Sequence, residues 1–130
     1  MNKTQPLVFD LFSLKENLNQ INWKSHSTLG RSETKIFNIY VNEKLGQRIS
    51  LVLCAPGSSA DEHLHTGSET FLILDGEFND SNGSYKAGEL ICYSENSKHS
   101  WSSPQGALIY AVWGGNVLSS FEEFKEESLC

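Results

Sequence analysis

The sequence predicts an all-β protein, a barrel or sandwich of short strands with a short helical segment towards each end. Three observations carry this prediction. Short runs rich in β-branched and aromatic residues recur along the chain: "TKIFNIYV", "RISLVLC", "ETFLILD", "ELICY" and "ALIYAVW". Turn-forming clusters separate them, namely "NEKLGQ", "APGSSAD", "DG", "NDSNGS", "ENSK" and "SSPQG". No alternation of strands with long helical patterns is present, and there is no internal repeat or low-complexity segment. A chain of 130 residues is expected to form one domain over residues 1–130, with the barrel core at about 35–115.

Near the start, "SLKENLNQI" places Leu14, Leu18 and Ile21 on one helical face. At the end, "SSFEEFKEESLC" sets Phe121 and Phe124 three apart, and Ser120 with Glu123 has capping-box spacing. That tail reads as an amphipathic helix packed on its own barrel or as a dimer clasp.

Composition narrows the function. Hydrophobic content of 38% with 20% charged residues fits a folded soluble domain, and the net charge of -6 argues against a nucleic-acid groove or an anionic membrane as partner. No signal peptide and no membrane-spanning apolar run is visible, so a cytoplasmic location is expected. Cys54, Cys92 and Cys130 are odd in number and widely spaced, without a CxxC pair. Cys54 and Cys92 are expected to be buried small hydrophobes rather than a redox pair or zinc ligands.

The chemistry concentrates in "PGSSADEHLHTGSETFLILDGEF". Alternate residues of a strand share a face, so His63 and His65 point one way and Leu64 the other. Glu69, Phe71 and Ile73 share a face of the following strand, and a tight connection at Thr66, Gly67 and Ser68 can lay Glu69 beside the histidines. A carboxylate among large apolar groups needs a cation or strong donors. His99, in "KHSW", is the candidate fourth ligand from another strand. Three neutral nitrogens and one anionic oxygen suit one divalent transition metal such as iron, zinc, nickel or manganese, with cobalt and copper also compatible. The alternatives are a metal-free hydrogen-bonded cluster for the first three residues and an exposed loop position for His99.

Among the remaining candidates, His26 is expected to be an exposed loop residue. Trp101 and Trp113 read as core, with substrate stacking as the sharper alternative, and Tyr40, Tyr93 and Tyr110 as core or rim. Asp61 and Glu62 read as solvated turn residues, or else as partners that orient an imidazole.

The run Gly57, five residues, His63, one residue, His65, three residues, Glu69, six residues, Gly76 matches the first cupin motif at its fixed positions. The second motif is looser: Lys86 stands where a proline is usual, Gly88 is in place, His99 lies further downstream, and no asparagine follows it at the usual offset. From "INWK" to "AVWGGN" the chain resembles the ChrR-type cupins, through "HLHTGSETFLILDGEFND", the "NG" hairpin and "KHSW". The resemblance implies a double-stranded β-helix, or jelly-roll barrel, and a metal held by His63, His65, Glu69 and His99. It further implies a homodimer paired through sheet edges and an N-terminal strand, for which "PLVFDLF" is suited. Some relatives cleave acetylacetone or dihydroxyacetophenone with dioxygen, and another is the metal-binding domain of an anti-sigma factor whose helical domain this chain is expected to lack. Two function classes follow: a metal-dependent dioxygenase acting on a small carbonyl or phenolic compound, or a non-catalytic module that senses a metal or small ligand. A Lewis-acid isomerase or lyase is a third, without a general base placed by spacing.

Overall fold

The computed structural model describes residues 5–27 and 30–119. A short helix α1 (Leu11–Glu16) and a 3-10 turn (Leu18–Gln20) precede ten strands. The strands are β1 (Lys24–Ser25), β2 (Thr34–Asn42), β3 (Gln47–Cys54), β4 (Ser58–His65), β5 (Glu69–Asp80), β6 (Gly83–Lys86), β7 (Leu90–Tyr93), β8 (Lys98–Ser103), β9 (Ala107–Trp113) and β10 (Val117–Ser119). All neighbours are antiparallel and the sheet curls upon itself in the order β1-β2-β3-β9-β5-β8-β4-β10, with β6 and β7 also on β5. No described helix is long and apolar enough to cross a membrane.

Strand β5 joins the two halves of the barrel. Its first part pairs with β9 and β7, and its last residues pair with β6 and β8. The change of partner occurs at a bulge between Ile73 and Asp75, followed by Gly76 at φ 80°. "DG", expected as a turn, is therefore a bend inside a continuous strand. A side chain at Gly76 would meet the Gly106 carbonyl oxygen at 2.1 Å, so the sharing of partners requires a residue without Cβ. The other turn signals mark real reversals. In the β5–β6 hairpin, Asp80 Oδ1 accepts from the Asn82 and Gly83 amides at 2.8 and 3.2 Å. The loop before β4 is shorter than "APGSSAD" suggests, because β4 starts at Ser58.

A second bulge lies in β4, where Ala60 faces Trp101 and His63 faces His99, so Asp61 and Glu62 together oppose one residue of β8. Ser58, Ala60, His63 and His65 all point inward as a result. The interior is closed by Phe71, Phe78, Trp101, Trp113, Ile73 and Ile109, all buried. Phe71 packs edge-on against Phe78 and Trp113, with ring centroids 5.4 and 6.0 Å apart. Trp101 and Trp113 are thus core residues, while Tyr93 and Tyr110 are half-buried and Tyr40 is exposed.

Three expectations are corrected. Pro6–Asp10 of "PLVFDLF" pairs with no strand and lies across the outside of the sheet, where Phe9 meets Phe37 edge-on at 6.1 Å. Cys92 is exposed, because β7 turns Leu90 and Cys92 outward and Ile91 and Tyr93 inward; Cys54 is buried as expected. His26 is buried, for reasons given below. The C-terminal helix and Cys130 lie outside the described residues.

Candidate metal centre

His63, His65, Glu69 and His99 converge, each offering a ligand atom within 4.8 Å of the others, and all four are buried. They come from three strands. β4 supplies His63 and His65, pairing with β8 sets His99 directly across from His63, and β5 opens with Glu69. The connection Thr66–Ser68 is not a hairpin turn, since it carries the chain from β4 to a strand of the other half of the barrel. It is held on Asn116 and Gly114 by Thr66 Oγ1 to Asn116 O (2.6 Å) and Gly114 N to Ser68 O (2.8 Å). A side chain at Gly67 would meet Gly115 N at 2.4 Å.

The imidazoles are oriented from behind. His63 Nδ1 lies 2.9 Å from the Asp61 carbonyl, which can only accept, so Nδ1 carries the proton and the Nε2 lone pair faces inward. The Ser97 hydroxyl donates to Ser94 O at 2.6 Å and so accepts from His65 Nδ1–H at 2.9 Å, which turns the His65 Nε2 lone pair inward as well. The Asp61 backbone, rather than the Asp61 or Glu62 side chain, is the orienting partner. Trp113 Nε1–H donates to Glu69 Oε2 at 2.5 Å.

Inside the cluster, His63 Nε2 and His99 Nε2 are 2.9 Å apart, His65 Nε2 and Glu69 Oε2 3.2 Å, and His99 Nε2 and Glu69 Oε1 3.3 Å. Separations near 3 Å are those of adjacent ligand atoms around an ion with bonds of about 2.1 Å. His65 Nε2 and Glu69 Oε1 have no hydrogen-bond partner although both are buried. Leaving such atoms unsatisfied costs about 1–3 kcal/mol each, and a cation would satisfy both. Protonation states agree: burial, with His99 beside it, lowers the His63 pKa to about 3. Burial alone would raise the Glu69 carboxyl, but contacts with His65 and His99 outweigh it and hold the group below the ordinary carboxylate range. Neutral imidazole and ionised carboxylate are the ligating forms.

Sequence reasoning missed His26 and Arg31. Both are buried and line an interior cavity of about 10 Å³ together with His63, Glu69, Phe78, Trp101 and Trp113. His26 is drawn in because its amide donates to Thr34 O at 2.8 Å, extending the β1–β2 ladder, and its ring lies 6.4 Å from that of Trp113. No periodicity announces it, because the pairing involves a strand of only two residues. Burial, then Arg31 and Arg48, push its pKa down to about 3. An unfolded histidine titrates near 6.5, so the stability that neutral His26 confers is complete above that pH and drains away as pH falls towards 3. The unfolding free energy of wild type, measured by urea titration, should therefore fall more steeply than that of His26→Gln between pH 7 and pH 4, by roughly a few kcal/mol. Parallel curves would show that His26 protonates freely in the fold.

Comparison with known proteins follows this geometry. A family model described as the ChrR cupin-like domain matches residues 15–117. No curated protein matches in sequence. Among solved structures, a candidate acetylacetone dioxygenase from Methylibium petroleiphilum superposes with TM-score 0.71 at 18% identity, covering 90% of this chain and 83% of that one. An acetylacetone dioxygenase from Acinetobacter johnsonii gives TM-score 0.71 at 14% identity, covering 82% and 78%. Anti-sigma ChrR of Rhodobacter sphaeroides, in complex with SigE, gives 0.60 at 16%, covering 87% and 72%. These likenesses establish the fold, a cupin β-barrel, and with the family match over most of its length the chain belongs to the ChrR cupin-like family.

Proposed function

We propose that this protein is a mononuclear-metal cupin in which His63, His65, Glu69 and His99 hold one divalent transition ion, and that it acts as a dioxygenase on a small carbonyl or phenolic compound. The observation that carries the proposal is the set of buried, convergent ligand atoms, of which His65 Nε2 and Glu69 Oε1 lack a hydrogen-bond partner. A bound iron(II) would supply a redox centre where an oxygen-donor substrate and dioxygen meet, since four ligands leave two positions of an octahedron. The chain's own contribution is to fix two imidazole tautomers through Asp61 O and Ser97, to keep Glu69 ionised, and to exclude water with Phe71, Trp101 and Trp113.

One observation favours the second reading, a metal- or ligand-sensing module. The cavity beside the ligands, about 10 Å³, holds about one water and must widen to admit a diketone. A zinc ion with four protein ligands would be saturated and structural. Metal analysis of protein purified without a chelating tag, followed by oxygen uptake with the iron form and candidate diketones, separates the two. Iron with substrate-dependent uptake supports the enzyme, and stoichiometric zinc without uptake supports the module.

The proposal includes one cupin domain over residues 1–130 with its core at about 35–115, a cytoplasmic location, and a homodimer. For the last, Val8 and Phe12 stand almost fully exposed on the outer face beside Leu7 and Phe9, apolar surface that a second copy would cover.

A further inference from the structure

Metal ligands are ordinarily oriented from behind, each by a hydrogen bond to the part of the side chain that faces away from the ion. Three of the four converging residues have such a bond: His63 Nδ1 to Asp61 O, His65 Nδ1 to Ser97 Oγ, and Glu69 Oε2 to Trp113 Nε1. His99 is the exception. Its Nε2 faces His63 and Glu69, while its Nδ1 is buried without a hydrogen-bond partner. Two of the rings around His99 are those of His63 and His65, each 4.5 Å away between centroids. The third is Tyr93, at 4.4 Å and inclined by 69°. An edge-to-face contact of this kind restrains the tilt of a ring.

Tyr93 is itself held at both ends. Its backbone lies opposite Glu69 in the β5–β7 pairing, and its side chain points inward. Its hydroxyl donates to Asp80 Oδ2 at 2.6 Å, a bond to a charged acceptor and therefore a strong one. Asp80 is fixed in turn. Its Oδ1 accepts from the Asn82 and Gly83 amides and from the Tyr85 hydroxyl at 3.0 Å, and its backbone pairs with Trp101, two residues beyond His99 on β8. Among the described residues β7 pairs with β5 alone, so the phenol ties the end of β7 to the half of the barrel that carries His99. We propose that Tyr93, anchored on Asp80, is the positioning residue for His99, and that its ring does for this ligand what Asp61 and Ser97 do for His63 and His65. The inference rests on the metal reading above and adds a residue that acts on the centre without touching the ion.

Cobalt(II) is the probe, with affinity measured by competition against a chelator and coordination followed by the visible cobalt spectrum. Tyr93→Leu is expected to weaken cobalt binding by about tenfold or more and to shift the spectrum. Tyr93→Phe, which keeps the ring and loses the anchor on Asp80, should do both to a smaller extent. In a His99→Ala background the Tyr93→Leu change should cost no further affinity, because a residue that acts through His99 then has nothing to position. Melting curves of the metal-free proteins separate positioning from support: lost stability at unchanged cobalt affinity marks Tyr93 as a packing residue and overturns the inference. An affinity loss as large in the His99→Ala background as in wild type overturns it too. Tyr93→Phe, the least disruptive variant, decides independently of these, since wild-type affinity and spectrum in that protein overturn the role of the Asp80 anchor. Failure of wild type to bind cobalt overturns the metal reading and this inference with it, whereas equal binding by wild type and Tyr93→Leu overturns the positioning role alone.

Discussion

Glu69→Gln is expected to lower metal affinity by at least about 10- to 100-fold, the loss typical of removing even a group behind the ligands. The substitution keeps size and nearly keeps shape, but it removes the one negative charge among the four converging side chains. His65→Ala should go further and strip most bound metal, leaving three candidate ligands. Metal loss should also lower the melting temperature of wild type on chelation, because an ion that binds only the folded chain stabilises it by mass action. A hydrogen-bonded cluster without metal predicts the opposite. Glutamine can still accept from Trp113 Nε1, and removing a buried charge then leaves stability unchanged or raises it. Competition with a chelator and paired melting curves distinguish the cases. Unaltered affinity in Glu69→Gln would remove Glu69 from the ligand set.

Gly76→Ala should be among the most destabilising single changes outside the cluster. At φ 80° an alanine is strained by about 1–2 kcal/mol, and its Cβ would press on backbone atoms, Gly106 O at 2.1 Å and Ala107 Cα at 2.8 Å. Forcing such a contact adds about 1–3 kcal/mol, for a total of about 2–5 kcal/mol from a fold whose stability is of the order of 5–15 kcal/mol. Gly57→Ala is the internal control: φ is 85° but nothing lies within 4 Å of the added carbon. It should cost the strain alone. Urea unfolding of both variants measures the difference, and equal losses would show that the β5–β9 approach yields easily.

The β-strands and the cluster were legible because both obey local rules. Alternation places Glu69, Phe71 and Ile73 on one face, and all three are buried. His63 and His65 were assigned together by the same rule, and His99 was reachable because "HSW" reads as a strand of its own. The errors have a common physical origin in contacts that sequence spacing does not encode. "DG" looks like a turn because aspartate and glycine favour turns, yet here glycine is required by the backbone of Gly106 across the sheet. His26 and Arg31 both lie outside the strands: pairing of the His26 amide with Thr34 O draws His26 in, and the bonds of Ser32 and Glu33 to Ser59 and Ala55 seat the segment that carries Arg31. Cys92 sits inside an apolar run, but the alternation of β7 turns it and Leu90 to the outer face while Ile91 and Tyr93 point inward.

The β4 bulge separates two properties that the cupin motif carries together. Ser58 and Ala60 already point inward, so a strand shortened by either Asp61 or Glu62 would still present both histidines to the interior by plain parity. Ala60 would remain opposite Trp101, and His63 opposite His99. What the shortened strand would lose is the Asp61 carbonyl folded back onto His63 Nδ1. The supernumerary residue is thus not a spacer that delivers the imidazole but a device that sets which of its nitrogens carries the proton. A one-residue deletion there would leave every ligand in place and let one of them rotate.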